Sequence, residues 1–171
     1  MGIKEIIMIM GAILILGLIS LSLNSQIFLN YETIMENDLN YMAFGIAQQY
    51  IDEAKSKDFD ERIITSIPNG LPATFTATAN LGPDANESYS NKHMDSFDDI
   101  DDFNGLVVTD TLEQKAIFVT SIQVGYINDQ LPDSFQVNPT FYKRMRVTTI
   151  SKFYDMKPIT ANYIFAYMGG I

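Results

Sequence analysis

The densest chemistry in this 171-residue chain lies at residues 96–105, SFDDIDDFNG, where Asp98, Asp99, Asp101 and Asp102 precede Asn104 and Gly105. Carboxylate and amide oxygens this close together suit a hard cation, and Ca²⁺ takes six to eight such donors. The spacing does not make an EF-hand loop, because the bidentate Glu is missing at the required distance. The same residues also read as a solvated acidic loop anchored by Phe97, Ile100 and Phe103. The wider segment 81–113 adds Asp84, Glu87, Asp95, Asp110 and Glu113 against a single lysine, Lys92. A connection of that length is either functional or mobile.

Other chemistry is sparse. Asn86-Glu87-Ser88 is a glycosylation sequon, which makes Asn86 a candidate acceptor. His93 is the only histidine, so it makes neither a triad nor a metal site and reads as a surface residue. With no cysteine, disulfides, thiolate metal sites and Cys nucleophiles are excluded. There is no Gly-rich phosphate loop, nucleophile elbow or zinc pattern. Catalysis needs several positioned groups, so the reading is of a chain that is not an enzyme, with no catalytic residue and Ca²⁺ as its one candidate cofactor. The net charge of −10 repels phosphate backbones, and no nucleic-acid partner is expected. Lys143, Arg144 and Arg146 form the one basic cluster. Alternate members fall on opposite faces of a strand, so it reads as a solvated strand end.

These residues need elements to carry them, and the first is at the start. Residues 6–23 carry no charge and follow Met1-Gly2-Ile3-Lys4-Glu5. As a helix they cover ~27 Å, close to the ~30 Å hydrocarbon core of a bilayer. A cleaved signal peptide needs a basic start, a shorter apolar run and a small-residue cleavage site, which residues 20–25 supply only loosely. A plain membrane anchor explains the hydrophobicity and leaves Glu5 as a headgroup residue beside Lys4. An assembly stem gives Glu5 a purpose, since an ionisable group at the edge of an apolar segment commonly marks function.

A chain that starts with Met or Phe, carries Glu at its fifth position and continues through about eighteen apolar residues into a long amphipathic helix resembles the type IV pilins and pseudopilins. That resemblance implies that Met1 is the mature first residue, exposed by a leader peptidase and bearing a free, usually methylated amine. It implies that Glu5 neutralises such an amine on a neighbouring subunit. In a packed bundle of stems, an unpaired amine is very costly and a pairing carboxylate sets the register. Lys4 departs from the family, where the position is usually uncharged, and competes for Glu5 or pairs with another chain. Ser22 stands where many pilins carry proline, which leaves Gly11 and Gly17 as the softer points of the stem. The segment EAKSKDFDE, residues 53–61, resembles the helix exit of minor pilins and pseudopilins. Residues 96–105 resemble a loop of the mannose-sensitive haemagglutinin group of minor pilins.

Beyond the stem no proline interrupts residues 24–57. Ile27, Tyr31, Ile34, Met35, Leu39, Met42, Ile46, Tyr50, Ile51 and Ala54 recur at steps of three and four, which predicts one apolar helical face. Stem and amphipathic half then form one helix of ~55 residues, ended by Asp58-Phe59-Asp60-Glu61 and Pro68-Asn69-Gly70-Leu71-Pro72. Strands are expected at residues 73–80, 116–127, 142–154 and 159–167, with Met145, Val147 and Thr149 on one side. The expected architecture is α+β, a long N-terminal helix packed against a small antiparallel sheet. Its divisions are a stem at 1–24, an amphipathic helix at 25–60 and a sheet head at 61–171 containing the acidic loop 81–113.

The function expected is that of a structural subunit, a homopolymer built through shared stems. It would sit in the inner membrane before assembly and on the cell surface as an extracellular filament afterwards. The resemblance adds the leader peptidase and the assembly platform as partners. It leaves adhesion, motility, secretion and DNA uptake as possible uses. The alternatives are a minor pilin, a secretion-system pseudopilin, or a monomeric membrane-anchored domain that binds a ligand through its acidic loop.

Overall fold

The computed structural model describes residues 2–65, 72–85, 87, 89, 94, 96–112 and 116–168. With proline absent before position 68, helix α1 runs without interruption over Ile3–Ala54. The chain falls into two units, Met1–Leu39 and Asn40–Ile171, and the division lies inside this helix.

The first unit is helix alone. Its start is capped from within: the Gly2 N–H donates to Glu5 Oε2 at 3.0 Å, and the Glu5 N–H donates to the Gly2 carbonyl at 2.9 Å. A glutamate reaching back to the capping residue satisfies one of the orphan donors of a helix start, and its charge suits the positive end of the dipole. Every side chain from 2 to 38 is exposed, including Ile7, Leu14, Leu16 and Leu21. The stretch is long and apolar enough to cross a membrane.

In the second unit, the last turns of α1 bury Ala43, Ile46, Ala47, Tyr50, Ile51 and Ala54. Those alternating steps of three and one trace one stripe of a helix. The apolar face expected from the sequence holds here for Ile46, Tyr50, Ile51 and Ala54, whereas Met42 is exposed. A short helix α2 follows at Glu61–Thr65.

The sheet is antiparallel throughout, in the order β1-β2-β4-β5. Its strands are β1 Val107–Leu112, β2 Ala116–Asn128, β4 Tyr142–Ser151 and β5 Ile159–Ala166, with β3 Leu131–Phe135 hairpinned onto the end of β2. Alternate residues of β2 and β4 face inward. Phe118, Ile122, Val124 and Tyr126 meet Met145, Val147 and Thr149, and Thr120 lies opposite Thr149 with their hydroxyls 3.1 Å apart. Phe59, Phe75 and Tyr167 close one end of this core, with ring centroids 5.0 to 5.7 Å apart.

Several expectations are corrected. Residues 73–80 form no strand. They make two single 3₁₀ turns, Pro72–Thr74 and Thr78–Asn80, because the Thr76 N–H and hydroxyl are spent on Asp60 rather than on a ladder. The segment 81–113 is not one connection, since it contains β1 and a 3₁₀ turn at Asp101–Phe103. Strand β3 lay outside the expected set. Its Pro132 lacks a donor, which an edge strand tolerates. Lys143 and Arg144 are not a solvated strand end. Both are buried, Lys143 on the inward face of β4 and Arg144 against β3.

Candidate functional site

Lys143 organises the interior of the head. It shares the inward phase of Met145, Val147 and Thr149 and is fully enclosed. Its Nζ donates to the Phe59 carbonyl at 2.6 Å, to Asp60 Oδ2 at 2.9 Å and to Asp101 Oδ1. The rings of Phe59 and Tyr126 lie 4.8 and 5.3 Å from the ammonium. Asp60 collects further donors: the N–H groups of Arg62 and Thr76, the Thr76 hydroxyl and the Tyr126 hydroxyl at 2.8 Å. Burial acts to raise the Asp60 carboxyl, but Lys143 and these donors outweigh it and hold the group below its ordinary value. The same burial, which works against ionisation, pushes Asp101 up despite its contact with Lys143.

Chain geometry explains how three distant segments meet here. The Asp58 N–H donates to the Asp98 carbonyl, and the Ile100 N–H donates to the Asp58 carbonyl, both at 3.0 Å. The acidic turn is thereby laid alongside the helix exit. Phe97, Ile100 and Phe103 are buried beneath it, with Phe97 and Phe103 edge-to-face at 5.2 Å. Gly105, at φ +80°, lets the chain leave the turn in a left-handed conformation that favours glycine.

The five cation candidates read from the sequence take different roles. Asp99 Oδ1 accepts the N–H groups of Asp101 and Asp102 at 2.7 and 3.2 Å, so it caps the turn. Asp102 Oδ2 accepts those of Asp98 and Asp99 at 3.0 and 3.1 Å. Asp101 is committed to Lys143. Asn104 is a staple: its Nδ2 donates to the Leu81 carbonyl, and its Oδ1 accepts the Val124 N–H. Asp98 alone of the four aspartates is exposed. The centre of the loop is therefore buried rather than solvated, with Asp99, Asp101 and Asp102 at 1 to 3% exposure.

A second grouping includes a residue that the sequence reading did not single out as a ligand. Carboxylate oxygens of Glu87, Asp98 and Asp102 all lie within 4.8 Å of one another. Beside them is a cavity of about 230 Å³ lined by Glu61, Arg62, Thr76, Asn80, Gly82, Asp84, Asp99, Asp101 and Asp102. Burial first, then the charge of Asp101, pushes the Asp99 carboxyl up to about 9. Burial also takes Asp102 up to about 7, with Glu87 adding to it.

At the other end of the chain, Lys4 and Glu5 lie in the first turn of α1 and are exposed. Gly11 and Gly17 are regular helical residues, and a Cβ added at either would meet nothing within 4 Å. Met1 and the sequon residue Asn86 lie outside the described residues, as do His93, Lys92, Asp95 and Glu113. Compared with protein-family models, curated proteins and solved structures, the chain matches none.

Proposed function

We propose that this chain is the structural subunit of a type IV pilus-like filament, held in the inner membrane before assembly and polymerising through its N-terminal helix. The observation that carries the reading is the exposure of every side chain of residues 6–23, an uncharged stretch of one helix. Covering such a stem removes on the order of 1,500 Å² of apolar surface from water, worth tens of kcal/mol before costs. A bilayer covers it first. Sister stems cover it in the polymer, and a dedicated assembly machine supplies the work of extraction. The head, by contrast, buries an apolar core of its own. In this reading the role is mechanical rather than catalytic, and the network around Lys143 stiffens the head.

Glu5 is the residue to test. Glu5→Gln keeps an oxygen for the Gly2 N–H, so the helix start is preserved while the charge is lost. Expressed in its own host, the variant is expected to insert into membranes normally and to yield no fibres in the sheared surface fraction by negative-stain microscopy. Normal fibres from Glu5→Gln would overturn the assembly role of Glu5. A wild-type chain found only as a membrane-bound monomer would overturn the filament itself.

A further inference from the structure

The outer face of the sheet carries an inference independent of the filament reading. Strand pairing sets Ser121 opposite Thr148 and Gln123 opposite Arg146 across β2 and β4. It sets Thr148 opposite Thr160 and Arg146 opposite Asn162 across β4 and β5. Directly paired residues share a face, so two polar rows run side by side, Ser121-Thr148-Thr160 and Gln123-Arg146-Asn162. Their phase is opposite to that of the buried Ile122, Val124, Met145 and Val147. The one acid in these four strands, Asp110, pairs with Phe118 on the inner side. The outer face is therefore free of carboxylates, in a chain that has 21 acidic residues and a net charge of −10.

A hollow of about 340 Å³ lies over the middle of these rows, lined by Ser121, Gln123, Arg146, Thr148, Asn104 and Gly105. Gly105 leaves it open, since a Cβ there would meet nothing within 4 Å. Arg146 is half-buried, with its guanidinium 5.4 Å from the Phe135 ring and no carboxylate partner among the described residues. Arg144, two residues away on the same face, adds a second positive charge beside it. The Arg144 Nε is enclosed without a hydrogen-bond partner, and its ion-pair partner Asp133, at 3.5 Å, is fully exposed. An ion pair to so exposed a group neutralises little. Burial, then the like charge of Arg146, works against the Arg144 guanidinium. Two adjacent cations with so little compensation favour an anion close by. The exposed amides of Gln123 and Asn162 bond no other described residue.

We propose that this hollow binds a hydroxylated organic carboxylate of the sugar-acid class, with Arg146 taking the carboxylate and Ser121, Gln123 and Thr148 taking hydroxyls. A guanidinium presents a planar fork that matches a carboxylate in two parallel hydrogen bonds. Side-chain hydroxyls and amides both donate and accept, as the hydroxyls of a sugar do. A bare point anion would leave those groups unused. At about 340 Å³ the hollow stands at the small end of ligand sites, which begin at about 300 Å³. Asn104 shapes its wall without taking part, since its amide is committed to Leu81 and Val124. Affinity on the order of 1 mM follows from one ion pair and a few hydrogen bonds on an open face.

The test is saturation-transfer difference NMR of the full chain in an uncharged detergent at neutral pH, titrated with sodium glucuronate. Glucose serves as the uncharged comparison and sulfate as a competing anion. The expected result is saturable binding of glucuronate with a Kd on the order of 1 mM, weakened by added NaCl, with no signal from glucose. Sulfate is expected to compete less well than unlabelled glucuronate. Arg146→Gln is expected to weaken binding about tenfold or more, and Gln123→Ala severalfold. Neither change breaks an ion pair to a described residue, so the Tm of both variants is expected to stay at the wild-type value. Lys157→Gln, in the β4–β5 connection, is expected to bind as wild type. Absence of glucuronate binding overturns the proposal, as does equal binding by the Arg146→Gln/Gln123→Ala double variant. Equal binding of glucose, or equal competition by sulfate, overturns the carboxylate assignment. Self-association that Arg146→Gln abolishes, without any response to glucuronate, would give the face to a second copy of the chain and overturn the proposal as well.

Discussion

Around Lys143, three oxygens from two parts of the chain surround one ammonium, and none of it reaches water. Removing one partner of a buried ion pair leaves the others stranded, which typically costs about 3–5 kcal/mol. Lys143→Met is accordingly expected to destabilise the head by that order in urea unfolding followed by near-ultraviolet circular dichroism. The effect has a pH signature. Asp60 is held below its ordinary value, so its contribution is present above the unfolded value of 3.8 and drains away as pH falls through the folded one. The difference between wild type and Lys143→Met therefore shrinks below about pH 4. A difference that stays constant from pH 7 to pH 3 would dissociate the lysine from Asp60. The position of Lys143 was legible in part. It alternates in phase with Met145, Val147 and Thr149, and a lysine on a core-facing phase is a sign of a buried partner. Its partners were not legible, because Asp60 lies 83 residues away, and no local spacing links them. The acidic turn was found by its density, yet Glu87, counted only among the acids of the wider segment, was not grouped with it for the same reason: it joins Asp98 and Asp102 only through folding.

At the scale of elements, strong periodicity was read correctly and mixed signals were not. The stem and the amphipathic half form one helix, as uninterrupted apolar spacing requires, and strands β2, β4 and β5 fall where branched and aromatic residues gather. Strand β1 was hidden because Asp110 made its segment look like polar loop. Asp110 in fact accepts a hydrogen bond from the Tyr50 hydroxyl of the helix at 3.1 Å. Residues 73–80 alternate like a strand, but Asp60 captures Thr76, and a buried carboxylate outbids a sheet edge. Element packing also supplies a sharp test at the β2–β3 hairpin. A Cβ on Gly125 would stand 2.7 Å from Phe135 Cδ1, and the Phe135 ring covers the Arg144 guanidinium at 4.5 Å. Gly125→Ala is expected to cost about 1–3 kcal/mol by crowding. Combined with Phe135→Leu, which removes the crowding ring, the two changes are expected to cost less than their sum in a double-mutant cycle. Strict additivity would mean that the ring does not set the glycine requirement.

Taken as a whole, the molecule inverts the usual arrangement of polarity. Over residues 2–38 the long apolar side chains are outside, and in the unit Asn40–Ile171 a lysine and four aspartates are inside. The first inversion calls for an environment that the single chain does not provide, whether bilayer or sister helices. The second makes the head depend on a charged cluster that only the complete fold assembles. One consequence concerns chemical reactivity. An ammonium enclosed by carboxylates and rings cannot be acylated until its surroundings come apart, whereas Lys55, Lys152 and Lys157 stand exposed. Treated with an amine-reactive ester, the exposed lysines are expected to modify at once and Lys143 only at the rate of whole-head opening. Peptide mass spectrometry of that one position then serves as a clock for the integrity of the head, readable in micelles and in membranes alike.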